Sequence, residues 1–142
     1  MRAINGLILV MILLITTVNL EGCATASTYM KKEDLTRVYN ASRKEVFDAV
    51  IASAEELKWK VENTDPEAGM VYLHPPLNLL TSSLANAMQG GDIVEVKLVK
   101  LNDKSTEVFV EQKSRGELMD WGRAAGNINR LFKELDTRLG ME

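Results

Sequence analysis

The sequence predicts an α+β fold: an antiparallel sheet of about five strands with two amphipathic helices on one face, in the order β-α-β-β-β-β-α. Three observations carry that prediction. Phe47, Val50, Ile51, Ala54 and Leu57, and later Ile128, Leu131, Phe132, Leu135 and Leu139, recur at three- and four-residue spacing, the stripe of a helix with one buried face. Between these stretches lie runs rich in β-branched and aromatic residues whose apolar positions alternate, as in a sheet wet on one side. Short polar turns join those runs in pairs, so neighbouring strands fold back as hairpins.

The elements follow in order. "TRVYNA", residues 36–41, is the first strand. Ser42-Arg43-Lys44-Glu45 has the form of a capping box, with Ser at N-cap and Glu at N3. The helix it opens extends to about Lys58. "WKVENT" and "MVYLH" flank the turn Asp65-Pro66-Glu67-Ala68-Gly69 and form the first hairpin. "DIVEVKLVKL" and "STEVFVEQKS" form the second, around Asn102-Asp103-Lys104. Val94, Val96 and Leu98 share one face of its first strand, and Val108 and Val110 one face of its second; Glu95, Lys97, Glu107 and Glu111 then look toward solvent. The last helix starts near Trp121 and stops at Gly140, a C′ glycine. Gly122 and Gly126, four apart, are expected to let this helix approach the sheet closely.

Ahead of the domain, residues 6–20 read "GLILVMILLITTVNL" behind a single Arg2. As a helix this run reaches about 22 Å at ~1.5 Å per residue, short for a hydrocarbon core of roughly 30 Å but suited to the apolar region of a secretory signal. The only cysteine stands just past it. Leu20-Glu21-Gly22-Cys23 resembles the lipobox of bacterial lipoproteins, with an aliphatic residue at −3 and a small one before the Cys. Glu21 departs from the small or uncharged residue usual at −2. The resemblance implies cleavage before Cys23, a diacylglyceryl group on its thiol and an acylated new amino terminus; several acyl chains anchor a protein stably where one does not. The alternative is an uncleaved membrane anchor with an incidental cysteine. Residues 1–22 are thus expected to be a signal peptide, 23–35 the lipidated Cys and a small, polar tether, and 36–142 one α+β domain. Ala24 after the cysteine, by resemblance to enteric lipoproteins, favours the outer membrane over the inner one.

The stretch "YNASRKEVFDAVIASAEELKWKVENTDPEAGMVYL", with the terminal helix, resembles the β-α-β-β module of BamC-type lipoproteins of the outer-membrane β-barrel assembly machine. It also resembles a group of small bacterial lipoproteins of unassigned role. The likeness spans roughly residues 36–73. It implies a helix-grip-like fold and leaves the activity open, because fold does not fix function.

Composition and chemistry narrow the role. With 17 basic and 20 acidic side chains the net charge is −3, which disfavours a nucleic-acid partner. His74 is the sole histidine, so neither a His-based metal cluster nor a Cys–His pair is expected; it reads as a strand-end imidazole. Ser82 and Ser83 lie in no nucleophile elbow, and no glycine-rich phosphate loop follows a strand. Glu55 and Glu56, Asp65 and Glu67, and Glu117 and Asp120 could each be an acid–base pair, but each has an ordinary structural place. No enzyme, cofactor or metal is expected, apart from covalent lipid on Cys23.

One stretch is unusual. No Lys, Arg, Asp or Glu occurs from Ala68 to Gly91, and "PPLNLLTSSLANAMQGG" joins two strands with far more chain than a hairpin needs. Leu77, Leu80, Leu84 and Met88 recur at helical steps. They form either a buried cover for the sheet or a docking surface for a partner protein, the membrane or a lipid-like ligand.

The expected function is that of a lipid-anchored, non-catalytic interaction or scaffold module facing the periplasm, with the membrane and an envelope protein as partners. The alternative is a carrier or sensor holding a small apolar molecule between sheet and helices, near Trp59, Trp121 and the Phe residues. A hydrolase with two carboxylates ranks last. Leu80→Asp distinguishes a docking surface from a cover: a docking Leu80 gives weaker partner capture at unchanged thermal stability. A core Leu80 gives a clear drop in the unfolding temperature.

Overall fold

The first helix begins where its sequence satisfies its own end. In a computed structural model describing residues 30–77, 91–114 and 122–141, Ser42 Oγ accepts from the Glu45 N–H at 3.3 Å, and Glu45 Oε2 accepts from the Ser42 N–H at 2.8 Å. This is the reciprocal cap read from the sequence. The chain runs through a 3₁₀ helix (Lys32–Leu35), β1 (Thr36–Tyr39), α1 (Arg43–Glu56), β2 (Lys60–Asp65), β3 (Met70–His74), β4 (Asp92–Asn102), β5 (Ser105–Ser114) and α2 (Arg123–Leu139). The α+β fold, its five strands and its two helices are those expected.

All strand pairs are antiparallel, and the sheet order is β1-β5-β4-β3-β2. Both expected hairpins are present, β2–β3 and β4–β5. They are joined by pairing of β3 with β4, Leu73 opposite Val94, while β1 adds to the far side of β5, Arg37 opposite Val108. One sheet face buries Val71, Leu73, Val94, Val96, Leu98, Val108 and Val110. Against it pack Val46, Val50 and Ala54 of α1 and Ile128, Leu131, Phe132 and Leu135 of α2, in one cluster with Leu35, Tyr39 and Trp59. On the opposite face Lys97 is exposed and Glu95, Glu107 and Glu111 are half-buried.

Several boundaries and faces differ from the sequence reading. Leu35, the last residue of the expected tether, is buried in the core. α1 stops at Glu56 rather than Lys58. Lys58 takes a φ of 57°, and the Trp59 N–H turns back to the Ala54 carbonyl at 2.8 Å, dropping the indole into the core. The buried seam of α1 is Val46, Val50, Ser53 and Ala54; Phe47, Ile51 and Leu57 lie on its flanks and are only partly buried. α2 ends as expected, with Gly140 at φ 68° and the Met141 N–H on the Asp136 carbonyl at 2.9 Å. Gly122 and Gly126 do not serve close packing: a Cβ at either would meet no atom within 4 Å. Ala124 and Ile128 are the residues of that turn that face inward.

Gly69 is where the fold demands a glycine. Its φ is 70°, and a Cβ there would lie 2.5 Å from the Leu98 carbonyl oxygen. Its own carbonyl accepts from the Leu98 N–H at 2.7 Å. The left-handed conformation alone costs an L-residue about 1–2 kcal/mol. Gly69→Ala should therefore lower the free energy of unfolding by about 2 kcal/mol or more, read as an earlier urea midpoint with an unchanged slope. An unchanged midpoint would mean that the turn yields without cost.

Candidate functional site

The strand register gathers several chain entries at one end of the sheet. Asp92, the start of β4, lies opposite Ser114, the end of β5. Leu73, near the end of β3, lies opposite Val94, and β1 starts with Thr36 opposite Phe109. The connection leaving His74 and returning at Gly91 and the start of α2 therefore share this end, while β1 starts midway along β5. The turns at 66–69 and 103–104 lie at the other. Met30, Glu33, Asp34 and Arg37 line a shallow cavity of about 370 Å³ with Ala125 and Asn129 of α2, so the incoming chain lies along the first turns of that helix.

Buried polar pairs fasten this end. The Arg123 guanidinium donates to both Asp92 carboxylate oxygens, at 3.1 and 3.3 Å, with both side chains only 8% exposed. This two-pronged pairing ties the start of α2 to the start of β4. The Asp92 carbonyl lies 3.0 Å from His74 Nδ1, and His74 Nε2 lies 2.9 Å from Glu62 Oε2. Glu62 reaches it from the point where β2 slips register between Val61 and Asn63. Asn127 donates to the fully buried Gln112 at 2.8 Å. His74 thus bridges β2 and β4 with both ring nitrogens, as fits a strand-end imidazole.

The other residues singled out by sequence fall as follows. Leu77 is 48% exposed and packs its Cδ2 against Gly91, 3.1 Å from where a Cβ would stand. Cys23, Leu80, Leu84 and Met88 lie outside the described residues, as do Ser82, Ser83, Glu117, Asp120 and Trp121. Glu55 and Glu56 are exposed on α1. Asp65 Oδ1 accepts from the Ala68 N–H at 2.9 Å, closing the turn before Gly69. Among the described residues no three His, Cys, Asp or Glu side chains converge on a metal position, and no helix is long and apolar enough to cross a membrane. Ser53 Oγ, Trp59 Nε1 and Thr36 Oγ1 are buried with no hydrogen-bond partner among the described residues.

A second polar cluster was not foreseen. Arg37 on edge strand β1 pairs with Asp136 of α2, and its guanidinium carbon stands 4.6 Å from the centre of the Phe132 ring. The buried Tyr39 hydroxyl donates to the other Asp136 oxygen at 2.9 Å. Burial, and then the neighbouring carboxylate, hold the Tyr39 phenol well above its ordinary pKa. The partners are 97 and 99 residues apart, and no local spacing points to them. No protein-family model and no curated protein matches the chain.

Asp136→Ala removes the acceptor of both β1 side chains and should cost about 2 kcal/mol, Tyr39→Phe about 1 kcal/mol. The Tyr39 pKa is raised on folding, so its contribution is complete below the unfolded value of 10.0 and declines as pH rises past it. Denaturant titrations above pH 10 should show a shallower loss in Tyr39→Phe than in the parent; identical slopes would show that the phenol does not report folding.

Proposed function

We propose that this chain is a lipid-anchored protein of the bacterial cell envelope, facing the periplasm, whose α+β domain works as a non-catalytic interaction module. The observation that carries the reading is the sole cysteine, Cys23, set in Leu20-Glu21-Gly22-Cys23 directly behind an apolar run of signal-peptide length. Acyl chains on one thiol supply the membrane affinity that this run is too short to supply as a span. The domain's polar side chains fit an architectural role. Asp92–Arg123, His74–Glu62 and Asn127–Gln112 each join two elements, so their chemistry is spent on holding one end of the sheet. The likeness to the β-α-β-β module of BamC-type lipoproteins supports an assembly role, and Ala24 supports the outer membrane. Leu77, Leu80, Leu84 and Met88 form the docking surface in this reading.

A second reading is favoured by one observation. Ser53 Oγ and Trp59 Nε1 are buried without hydrogen-bond partners among the described residues. Unsatisfied buried polar atoms are rare, and a small, mostly apolar ligand with one or two polar atoms would satisfy them. Native mass spectrometry of the purified protein separates the readings: a stoichiometric bound lipid favours the carrier, a bare protein the interaction module.

Cys23→Ser tests the anchor. Expressed in a bacterial host, the variant should take up no radiolabelled fatty acid and should accumulate as an uncleaved precursor. Fatty-acid incorporation that persists in the variant would rule out Cys23 as the acceptor.

A further inference from the structure

We infer that the open face of the sheet is a two-fold interface between copies of this chain, centred on Val99. The helices cover the other face. On the open one, β1 sets Val38 opposite Glu107 and β4 sets Val99 opposite the same residue. Val38, Glu107 and Val99 therefore form one row across three strands. Leu101 follows Val99 along β4, at the irregularity between Lys100 and Asn102. Val38, Val99 and Leu101 are 45%, 37% and 52% exposed, and they are three of the five large apolar side chains that stand exposed among the described residues. Half-buried Phe109 and Met70 continue the patch in the next row, on either side of Lys97. Single apolar side chains are ordinary on a surface, whereas a contiguous group marks a contact. Met30, Glu33 and Asp34 lie against Ala125 and Asn129 of α2, so the chain reaching β1 comes in on the helix side.

The charges on the open face identify the occupant. Toward the Asp92 end they are settled within the chain. Lys113 pairs with Glu95 at 2.9 Å and is also stabilised in its charged form by Glu111, and Glu62 meets His74. Asp65 accepts from the Ala68 N–H. Around the apolar row two charges remain: neither Lys97 nor Glu107 makes a side-chain hydrogen bond or ion pair among the described residues.

A patch with one such charge of each sign is complementary to itself. A copy related by a two-fold axis between the sheets sets its Glu107 on Lys97 and its Lys97 on Glu107, while the valines and Leu101 close over one another. A partner of one sign of charge would satisfy one of the two and repel the other. The strands of the face cover on the order of 600 Å² at ~3.4 Å per residue and ~4.8 Å between strands. Two copies meeting over the whole face thus bury about 1,200 Å², the low end for a specific interface. The apolar row supplies the affinity, and the crossed charges fix the register.

The test co-expresses two differently tagged copies of the full chain in a bacterial host. One copy carries the photo-activated residue benzoylphenylalanine in place of Val99 or, as the control, in place of Arg130, which is exposed on α2. Illumination should join the two tagged copies several-fold more from position 99 than from position 130. Lys97→Glu or Glu107→Lys in both copies should cut the yield from position 99 several-fold by setting like charges together. The double variant Lys97→Glu/Glu107→Lys should return it to the parent level, with proteolysis resistance checking that each variant is folded. Equal yields from positions 99 and 130, adducts of position 99 only with other proteins, or a folded double variant that does not recover would overturn the inference. The comparison of positions 99 and 130 is made without the charge variants, so it decides even where one of them fails to fold.

Discussion

Every feature of this domain depends on a single constraint: the sheet has one dry face, and both helices must cover it. Val71, Leu73, Val94, Val96, Leu98, Val108 and Val110 come from three neighbouring strands and are closed over by the inward residues of α1 and α2. A core of aliphatic side chains at about 25 cal/mol per Å² buried is the main favourable term such a domain has. No described residue supplies a disulfide or a metal staple in its place. The polar pairs at the margins then set which end of each element meets which.

Much of this was legible because it is local. The cap at Ser42, the stop at Gly140 and the two hairpins each depend on residues within a few positions of one another, and spacing alone reports them. What spacing cannot report is partnership across the chain. The joining of β3 to β4 depends on a connection of seventeen residues between His74 and Asp92, and the docking of β1 on β5 brings Thr36 to Phe109. The Arg37–Asp136–Tyr39 cluster belongs to the same class. A sequence reader sees an arginine and a tyrosine on a short strand and an aspartate late in a helix, with nothing to link them.

Two misreadings concern the helices. Placing the apolar seam of α1 through Phe47, Val50, Ile51, Ala54 and Leu57 passed over Val46 and the polar Ser53, which the surface pressed on the sheet also takes. Reading Gly122 and Gly126 as a contact face treated the absence of a side chain as evidence of proximity. Their backbone faces open space, and Gly122, at φ 78°, starts the helix. In the candidate site, His74 was legible as a strand-end residue. Its tie to Glu62 comes from the register slip in β2, which no pattern in "WKVENT" announces, and its tie to Asp92 from the long-range pairing of β3 with β4.

That slip in β2 has a further consequence. β2 is an open margin of the sheet, exposed along nearly its whole length, and it carries Lys60, Glu62 and Asp65. A flat, apolar margin would invite the same strand of a neighbouring molecule to zip onto it. An irregular, charged one offers poor geometry for that growth. Along this margin a neighbouring copy finds little to extend the sheet by.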